Sequence, residues 1–479
     1  MNVKDLIKGL NYVKTKGNVD IEIDEITCNS KEAHKNSLFI CIKGNNYDGH
    51  TFLKEIENNG CRCIISETEL DSAITQIIVK DSRIAMASVS SIFYNHPEKK
   101  LKLIGIVGTN GKTSVSHIIA KILNYGNIKC GIIGTLGSYY NGNYVEPSLT
   151  TPDPINLYRI LNDMVEDGIK VVAVEVSAHA VYYKKIYGIN FDIGVFTNLT
   201  QDHLDFFKTM DEYGKVKKSF FDNNLCKYIV SNSDDELGRE IGKKKNAVSY
   251  GIKNPADIFA MNVKYNGVGS TFILNLFDCV YNVELKMIGE INVYNVLASA
   301  TACALSGMKT DDIYKAILNL SYVEGRLERV FSKNFDIYVD YAHTPDGLYK
   351  AITSLKPMAK GRLICVFGCG GNRDKSKREI MGRISGENAD LTIITSDNPR
   401  YEEPMDIIFE IEKGVLSVTK NYVLIQDRKS AIEYAIEKAK DGDIILVAGK
   451  GSEKYQEILG VKSFYNDKET IGALTNKLQ

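Results

Sequence analysis

The residues best equipped for chemistry lie in Gly108-Thr-Asn-Gly-Lys-Thr-Ser114, which follows the apolar run Leu103-Ile-Gly-Ile-Val107 and opens a helical pattern. A buried strand, a phosphate loop and a helix N-terminus are predicted there. Gly108, Thr109, Asn110 and Gly111 let successive backbone N–H groups turn toward one anion, and the helix start adds partial positive charge. Lys112 adds a full charge, Thr113 offers a hydroxyl for Mg2+, and Ser114 continues the helix. The matching chemistry is the holding of a nucleoside triphosphate. The spacing departs from the standard loop, because the first glycine falls at Gly105 or Gly108 instead of at Ile106. A glycine turn that merely joins strand to helix is the structural alternative.

Other candidates sit where apolar runs end in polar residues. Glu175 closes the run beginning at Val171, with Ser177 and His179 behind it; Asn198 follows Ile193 to Thr197, and Asp202, His203 and Asp205 come next. A carboxylate and an imidazole at adjacent strand ends suit Mg2+ or phosphate, since Mg2+ takes oxygen ligands and keeps several waters. A buried structural Glu is the alternative. Asn292 and Asn295, three apart on an Ala-rich helical pattern, can turn both amides to one pocket or lie on a helix surface. Near the N-terminus, Thr27-Cys-Asn-Ser30-Lys31 and Lys43-Gly-Asn45-Asn46-Tyr-Asp-Gly49 read equally as ligand loops or solvated turns. Toward the C-terminus, unusual residues gather in Asp340 to Asp346, Gly368 to Lys375, Ser396 to Arg400 and Ala448 to Glu453. In an open α/β sheet those four strand-end loops face one cleft.

To position these residues the chain must fold as α/β units. At 479 residues it is too long for one core. Residues 1–99 predict a small α/β domain with strands at Ile21 to Ile26, Leu38 to Ile42, Cys63 to Ile65 and Ile77 to Val79. Residues 100–329 predict a mostly parallel sheet that begins with the phosphate loop and carries an antiparallel excursion between about 256 and 290. Residues 330–479 repeat strand and helix at Ile337 to Val339, Leu363 to Phe367, Leu391 to Thr395, Tyr422 to Ile425 and Ile444 to Val447. That is a doubly wound, Rossmann-like domain without a dinucleotide fingerprint. Net charge is -1, which argues against a nucleic-acid binder, and no apolar run is long enough to span a bilayer. The ten cysteines are scattered without metal spacing and read as reduced thiols of a cytoplasmic protein.

Taken in order, the Gly108 to Thr113 loop, Glu175-Val-Ser-Ala-His179, Thr197 to Asp205, Asn292-Val-Tyr-Asn295, Gly325-Arg-Leu-Glu328 and Asp340 to Asp346 resemble the Mur ligases over nearly the whole chain. Single motifs of this set are shared with folylpolyglutamate synthetases. The resemblance implies an ATP-dependent amide ligase of peptidoglycan synthesis. ATP phosphorylates a carboxylate, and the amine of an amino acid then displaces phosphate through a tetrahedral intermediate. It further implies that residues 1–99 bind a UDP-sugar, residues 100–329 bind ATP and residues 330–479 bind the incoming amino acid, in a monomer without nucleic-acid or membrane partners.

Roles carried over with the resemblance are as follows. Catalysis falls to Lys112, Glu175, His203 and Lys217, the last as a carbamate in a Tyr213-x-x-x-Lys217 setting flanked by Lys215 and Lys218. Two Mg2+ ions are implied on Thr113, Glu175, His203 and the carbamate, which turns an ammonium into an oxygen-bearing anion. Asn295, Arg326 and Asp340 join the loop in holding ATP, completed when the third domain closes. UDP-MurNAc-L-Ala-D-Glu is implied at Ser30, Asn45, Asn46, Thr150, Thr151, Ser177 and Lys185, with Lys31 and Lys185 where the family usually carries arginine. The Asp397-Asn-Pro-Arg400 loop resembles the version that selects meso-2,6-diaminopimelate, with Arg373, Asp397, Asn398, Gly449 and Glu453 around it. Arg400 would pair a carboxylate while Glu453 and Asn398 accept from the neighbouring ammonium. L-lysine would leave Arg400 unpaired at a cost of several kcal/mol. Ser452 stands where a His commonly precedes the Glu. A lysine-adding ligase is the alternative within the class, and a nucleotide-dependent switch or binding module the alternative outside it.

Overall fold

The strands of the last section are continuous apolar runs, and the strand period of two sends successive side chains to opposite faces of a sheet, so both faces are apolar. In the computed structural model, Tyr338, Leu363, Cys365, Phe367, Ile444 and Leu446 enter one core, while Ile337, Val339, Ile364, Val366, Ile445 and Val447 enter the other. The sheet runs Glu328–Ser332, Asp336–Asp340, Ile444–Ala448, Leu363–Phe367, Leu391–Ile394, Tyr422–Leu424, parallel throughout except for the first strand. The carboxyl ends of its central strands therefore open on one edge, where the loops starting at Tyr341, Gly368, Thr395 and Gly449 begin. A separate hairpin, Tyr455–Ile458 with Val461–Phe464, follows.

The structure describes residues 1–44, 47–222 and 225–476. Within the chain two compact units form: Met1–Gly105 with Ile128–Gly194 and Ser219–Lys227, and Ile106–Asn127 with Val195–Lys218 and Tyr228–Gln479. The central section of the sequence thus contributes to both.

In the first unit a five-stranded sheet runs Tyr12–Lys16, Thr75–Val79, Cys63–Ser66, Ser37–Ile40, Glu25–Thr27, with only Tyr12–Lys16 antiparallel to its neighbour. The same alternation fills two cores, Leu38, Ile40, Ile65 and Ile77 on one face and Phe39 and Ile64 on the other. Cys130–Gly134 pairs in parallel with Val171–Glu175 and leads into the hairpin Gly137–Tyr140, Asn143–Val145. The helix Pro154–Glu166 is capped by Asp153, whose carboxylate accepts from the Asn156 N–H, with Pro154 where a missing N–H costs nothing.

In the second unit, Cys226–Asn232, Ala247–Gly251 and Ile258–Asn266 pair in parallel and give way to the antiparallel strands Gly269–Leu276 and Cys279–Leu285, the expected excursion. The helix Lys112–Tyr125 buries Val115, Ile118, Ile119 and Ile122, a stripe at helical spacing, and the Ala-rich helix Glu290–Leu305 comes close enough for Ser299 Oγ to donate to Val115 O at 3.4 Å. All ten cysteines are free thiols, eight of them buried. Among the described residues, no helix is long and apolar enough to cross a membrane.

Candidate active site

The strand Lys102–Val107 delivers the chain to Gly108, and the helix Lys112–Tyr125 receives it at Lys112. Gly111 caps that helix at φ +89°, where a side chain is strained, and a Cβ there would stand 2.7 Å from Asn295 Oδ1. The end of the strand Phe191–Phe196 fixes the loop. Thr197 Oγ1 and Asn198 Nδ2 donate to Asn110 O at 2.7 and 3.1 Å, and Asn198 Oδ1 accepts from the Asn110 N–H at 3.0 Å. Thr109 Oγ1 donates to Thr200 O at 3.1 Å, and Lys112 Nζ donates to Gly108 O and Thr109 O at 3.0 and 2.8 Å. Thr113 and Ser114 are buried in the first turn. The loop is thus held rigidly at the helix N-terminus, with the Thr109 and Asn110 N–H groups engaged by Asn198 at 2.8 and 3.0 Å.

Beneath it lies a lysine. Of the three lysines in Met210–Ser219, Lys217 is buried at 1 % exposure, while Lys215 reaches Asp211 at 2.6 Å on the surface and Lys218 reaches Glu240 at 2.5 Å. Of the three registers that sequence left open, burial thus sets Lys217 apart. Lys217 Nζ donates to Gly108 O at 2.7 Å and sits 4.3 Å from the centroid of the Tyr213 ring. Burial first, then the Lys112 ammonium, holds its pKa well below the ordinary lysine value against the opposing pull of Asp202 and Asp235. Such an amine loses its proton readily and is then a nucleophile.

Asp202 gathers two imidazoles and a lysine. Its carboxylate lies 3.3 Å from His203 Nε2, 3.7 Å from His343 Nε2 and 3.5 Å from Lys377 Nζ. Burial alone would raise its pKa, yet the His343 hydrogen bond and the charges of Lys377 and His203 carry it well below the usual carboxylate range. Two further contacts join the phosphate loop to the last section: Asn110 Nδ2 donates to Asp346 Oδ2 at 3.0 Å, and Thr344 Oγ1 donates to Asn110 Oδ1 at 3.3 Å.

Asn295 Nδ2 donates to Asn292 Oδ1 at 3.3 Å, and Asn292 Nδ2 donates to Ile288 O at 2.8 Å, so the two buried amides form one chain of hydrogen bonds. The Arg326 guanidinium packs 4.3 Å from the Tyr341 ring centroid. Asp340 accepts from the Leu327 and Ala342 N–H groups, both at 2.7 Å, and burial raises its pKa despite Arg326.

In the first unit Glu175 is fully buried, accepting from the Thr135 N–H at 3.1 Å and from Thr135 Oγ1 at 2.9 Å. Around it, Thr151 Oγ1 donates to Glu175 O at 2.7 Å and accepts from the Ser177 N–H at 3.0 Å. Thr135 Oγ1 and Thr150 Oγ1 are 3.2 Å apart, and Lys185 Nζ donates to Thr151 O at 3.0 Å. Thr150, Thr151, Glu175, Ser177 and Lys185 are thus one cluster. Burial lowers the Lys185 pKa. Ser30 lies in a separate loop, where its carbonyl accepts from Asn59 Nδ2 at 3.0 Å, and Asn45 and Asn46 fall outside the described residues.

The last section places Asp397, Asn398, Arg400, Gly449 and Glu453 together. Asn398 Nδ2 donates to Glu453 Oε2 at 3.0 Å, and a Cβ on Gly449 would come within 2.7 Å of Asp397 Oδ2. Arg400 has φ 52° and is held by backbone bonds, its N–H to Glu457 O at 3.0 Å and its carbonyl from the Leu459 N–H at 2.7 Å. Its Nη1 donates to Gly371 O at 2.8 Å and its Nε lies 3.4 Å from Glu457 Oε2. Arg373 is exposed on the Gly368 loop. One expectation changes here. The Asn398 carbonyl oxygen already accepts from Lys450 Nζ and the Glu457 N–H, each at 3.0 Å, so it is not open to a ligand ammonium; Asn398 instead offers an N–H.

Asp202, His343, Lys377 and Lys450 are the site residues that pattern reading passed over as functional. Asp202 and His343 stood inside the quoted motifs, but nothing in their spacing shows that a buried Lys377 converges on them. Among the described residues, no three His, Cys, Asp or Glu side chains converge as a metal-ligand group. Thr113 and His203 in one unit, and Glu175 in the other, carry oxygen and imidazole donors of the kinds Mg2+ takes.

The Mur ligase middle domain matches residues 106–303 and the Mur ligase glutamate ligase domain matches residues 325–451. The chain is 41 % identical, over 98 % of both sequences, to UDP-N-acetylmuramoyl-L-alanyl-D-glutamate--2,6-diaminopimelate ligase 1 of Clostridium acetobutylicum. It is 39 % identical over the full length of the ligase of that name, without the numeral, from Clostridium tetani. Among solved structures, a UDP-N-acetylmuramoyl-L-alanyl-D-glutamate--2,6-diaminopimelate ligase superposes with a TM-score of 0.71 at 29 % identity, covering 100 % of this chain and 99 % of that one. MurF ligase from Thermotoga maritima in complex with ADP has a TM-score of 0.66 at 21 % identity over 95 % and 97 % of the two chains, a likeness of fold.

Proposed function

The chain belongs to the Mur ligase family, and we propose on that premise that it joins meso-2,6-diaminopimelate to the D-Glu carboxylate of UDP-MurNAc-L-Ala-D-Glu, with ATP converted to ADP and phosphate. The observation that carries the reading is full-length identity of 41 % with a ligase of that name. A carboxylate is a poor acyl donor, and its phosphorylation makes it a good one. Both the phosphoryl transfer and the tetrahedral intermediate that follows concentrate negative charge, so the protein's task is to supply cations and fixed donors.

The phosphate loop, Gly108 to Ser114, cradles the triphosphate, and Lys112, poised on Gly108 O and Thr109 O, turns to the transferred phosphate. Asn295, Arg326 and Asp340 hold the nucleoside side of ATP. Thr113, His203 and Glu175 would each offer an oxygen or imidazole donor to Mg2+, which when bound would neutralise charge on the phosphates. Lys217 reacts as a neutral amine with CO2, forming an N–C bond and releasing one proton, to give the carbamate that completes the ligand set. Thr150, Thr151, Ser177 and Lys185, with Ser30, Asn45 and Asn46, bind the UDP-sugar dipeptide. Arg400, Asn398, Glu453, Asp397, Arg373 and the Gly449 backbone bind diaminopimelate. The reading includes division of labour among residues 1–99, 100–329 and 330–479, a cytoplasmic location and action as a monomer.

The test is phosphate release from ATP with UDP-MurNAc-L-Ala-D-Glu present and meso-diaminopimelate, L-lysine or no amino acid added in parallel. Release with diaminopimelate alone is expected. Release with lysine instead would make the chain the lysine-adding ligase, and equal release in all three would make it a nucleotide-driven switch.

A further inference from the structure

Lys450 is a fully buried cation, at 0 % side-chain exposure, in the loop that follows the strand Ile444–Ala448. Gly449 before it has φ +114°, a conformation that disfavours side chains and that lets the loop turn so that the next residue points inward. There Lys450 Nζ donates to Asn398 Oδ1 and to Glu453 Oε2, both at 3.0 Å, and lies 3.9 Å from Asp397 Oδ1. Burying an ammonium is expensive unless it is paired and hydrogen-bonded, and here two carboxylates and an amide surround it.

The consequence is an orientation. An Asn amide can present oxygen or nitrogen to a pocket, and the hydrogen-bond network decides which. Lysine has donors only, as does the Glu457 backbone N–H, which reaches the same Asn398 Oδ1 at 3.0 Å. The oxygen must therefore face them, and Asn398 Nδ2 must face Glu453, to which it donates at 3.0 Å. Glu453 spends Oε2 on Lys450 and Asn398; among the described residues no hydrogen bond engages its Oε1. One N–H of Asn398 and one carboxylate oxygen of Glu453 are left side by side, a donor and an anionic acceptor matched to the carboxylate and ammonium of an amino acid.

We propose that Lys450 is a positioning residue that locks the Asn398 amide and the Glu453 carboxylate in the one arrangement that reads the amino-acid substrate. It touches no reacting atom. The proposal rests on the assignment of this cluster to the amino-acid substrate. Without the lysine, Asn398 keeps only the Glu457 N–H on its oxygen and Glu453 loses its buried cation, so the pair is held less firmly and the loss falls on binding of that one substrate.

The experiment is steady-state kinetics of wild type, Lys450→Met, Lys450→Arg, Asn398→Ala and the Lys450→Met/Asn398→Ala pair, varying each substrate in turn. For Lys450→Met the KM for diaminopimelate should rise about tenfold or more while the KM values for ATP and the UDP-sugar dipeptide stay within about twofold. The double variant should be little worse than the worse single one, since both changes break the same arrangement. Lys450→Arg keeps the charge but not the compact ammonium, and an increase of about threefold or more in the same KM is expected. That variant decides the question if Lys450→Met does not fold. Unchanged diaminopimelate KM, parallel rises in all three KM values, or additive effects in the pair would overturn the proposal. Wild type that turns over with no amino acid would instead remove the ligase reading, and the proposal with it.

Discussion

Lys217 shows what a single residue can reveal. Its native pKa lies below that of an unfolded lysine, so the unfolded chain binds the proton more tightly. The unmodified native state is therefore penalised at pH values below the lowered pKa, and the penalty fades as pH rises from there toward the ordinary lysine value of 10.5. Two outcomes follow. Lys217→Met, which removes the charge and keeps the volume, should fold at least as stably as CO2-depleted wild type at neutral pH, as read by denaturant midpoints, yet have no ligase activity. Wild type should lose activity in CO2-free buffer and regain it with bicarbonate, more completely at pH 8.5 than at pH 6.5, because only the neutral amine adds CO2; a 13C-bicarbonate NMR signal absent from Lys217→Met would identify the carbamate. Activity indifferent to bicarbonate and retained by Lys217→Met would refute the role. Lys217 was a candidate only through the family resemblance and its place four after Tyr213, and three neighbouring lysines are equivalent on paper. Burial separates them, and burial depends on the phosphate loop about a hundred residues earlier. Lys450 was illegible for the same reason, since its meaning lies in Asn398 and Glu453.

At the scale of elements, the ends of the last-section strands are held by buried ion pairs. Arg428, fully buried at the start of the helix Arg428–Lys438, donates through Nε and Nη2 to Asp467 at 2.8 Å each, clamping the helix Asp467–Thr475, and through Nη2 to Ala448 O at 2.9 Å. Removing one partner of such a pair strands the other, so Arg428→Ala should destabilise the fold by about 3–5 kcal/mol in urea unfolding, whereas a value near zero would show that Asp467 finds water. Glu402 ties Arg378 to the Gly368 loop, with Oε1 accepting from the Asn372 N–H at 2.5 Å and the two oxygens from Arg378 at 3.0 Å. The Arg378 hydrogen bond does most to hold the Glu402 carboxyl down at about 2, below its ordinary value of 4.5. A depressed carboxylate stabilises fully above the unfolded value and loses that contribution as pH falls toward 2. The melting-temperature gap between wild type and Glu402→Gln should accordingly be constant above pH 5 and shrink on acidification; a constant gap down to pH 2.5 would deny the linkage. Five of the six strands of this sheet, all but Glu328–Ser332, were readable, Leu363–Phe367 to the residue, because buried parallel strands are continuous apolar runs. Tyr12–Lys16, Asn143–Val145 and Val461–Phe464 were not, because they are mostly exposed and lack that signal.

Over the whole molecule, the division of residues between two compact units was not legible, because the central section feeds both and no composition break marks where it does so. The chemistry was more readable than its partition: the candidates for the nucleotide and the amino acid share the second unit, and Glu175 with the candidates for the dipeptide lies in the first. Selectivity is a property of the complete cycle, a ratio of kcat/KM values for competing substrates. Sequence reasoning charged L-lysine with leaving Arg400 wholly unpaired, but Gly371 O and Glu457 already satisfy Nη1 and Nε in the protein itself. Only the remaining face of the guanidinium is left for a carboxylate, and its side chain is 19 % exposed. The penalty for lysine is therefore nearer ~2 kcal/mol than 5, about thirtyfold in kcat/KM. Arg400→Leu should lower kcat/KM for diaminopimelate by at least that factor while leaving lysine nearly unchanged, so that the two substrates approach parity. Competition between them in one reaction, with the products separated by mass, measures the ratio directly. A preference for diaminopimelate that survives Arg400→Leu would move the selector to the Asn398 and Glu453 pair, where Lys450→Met then becomes the variant that abolishes it.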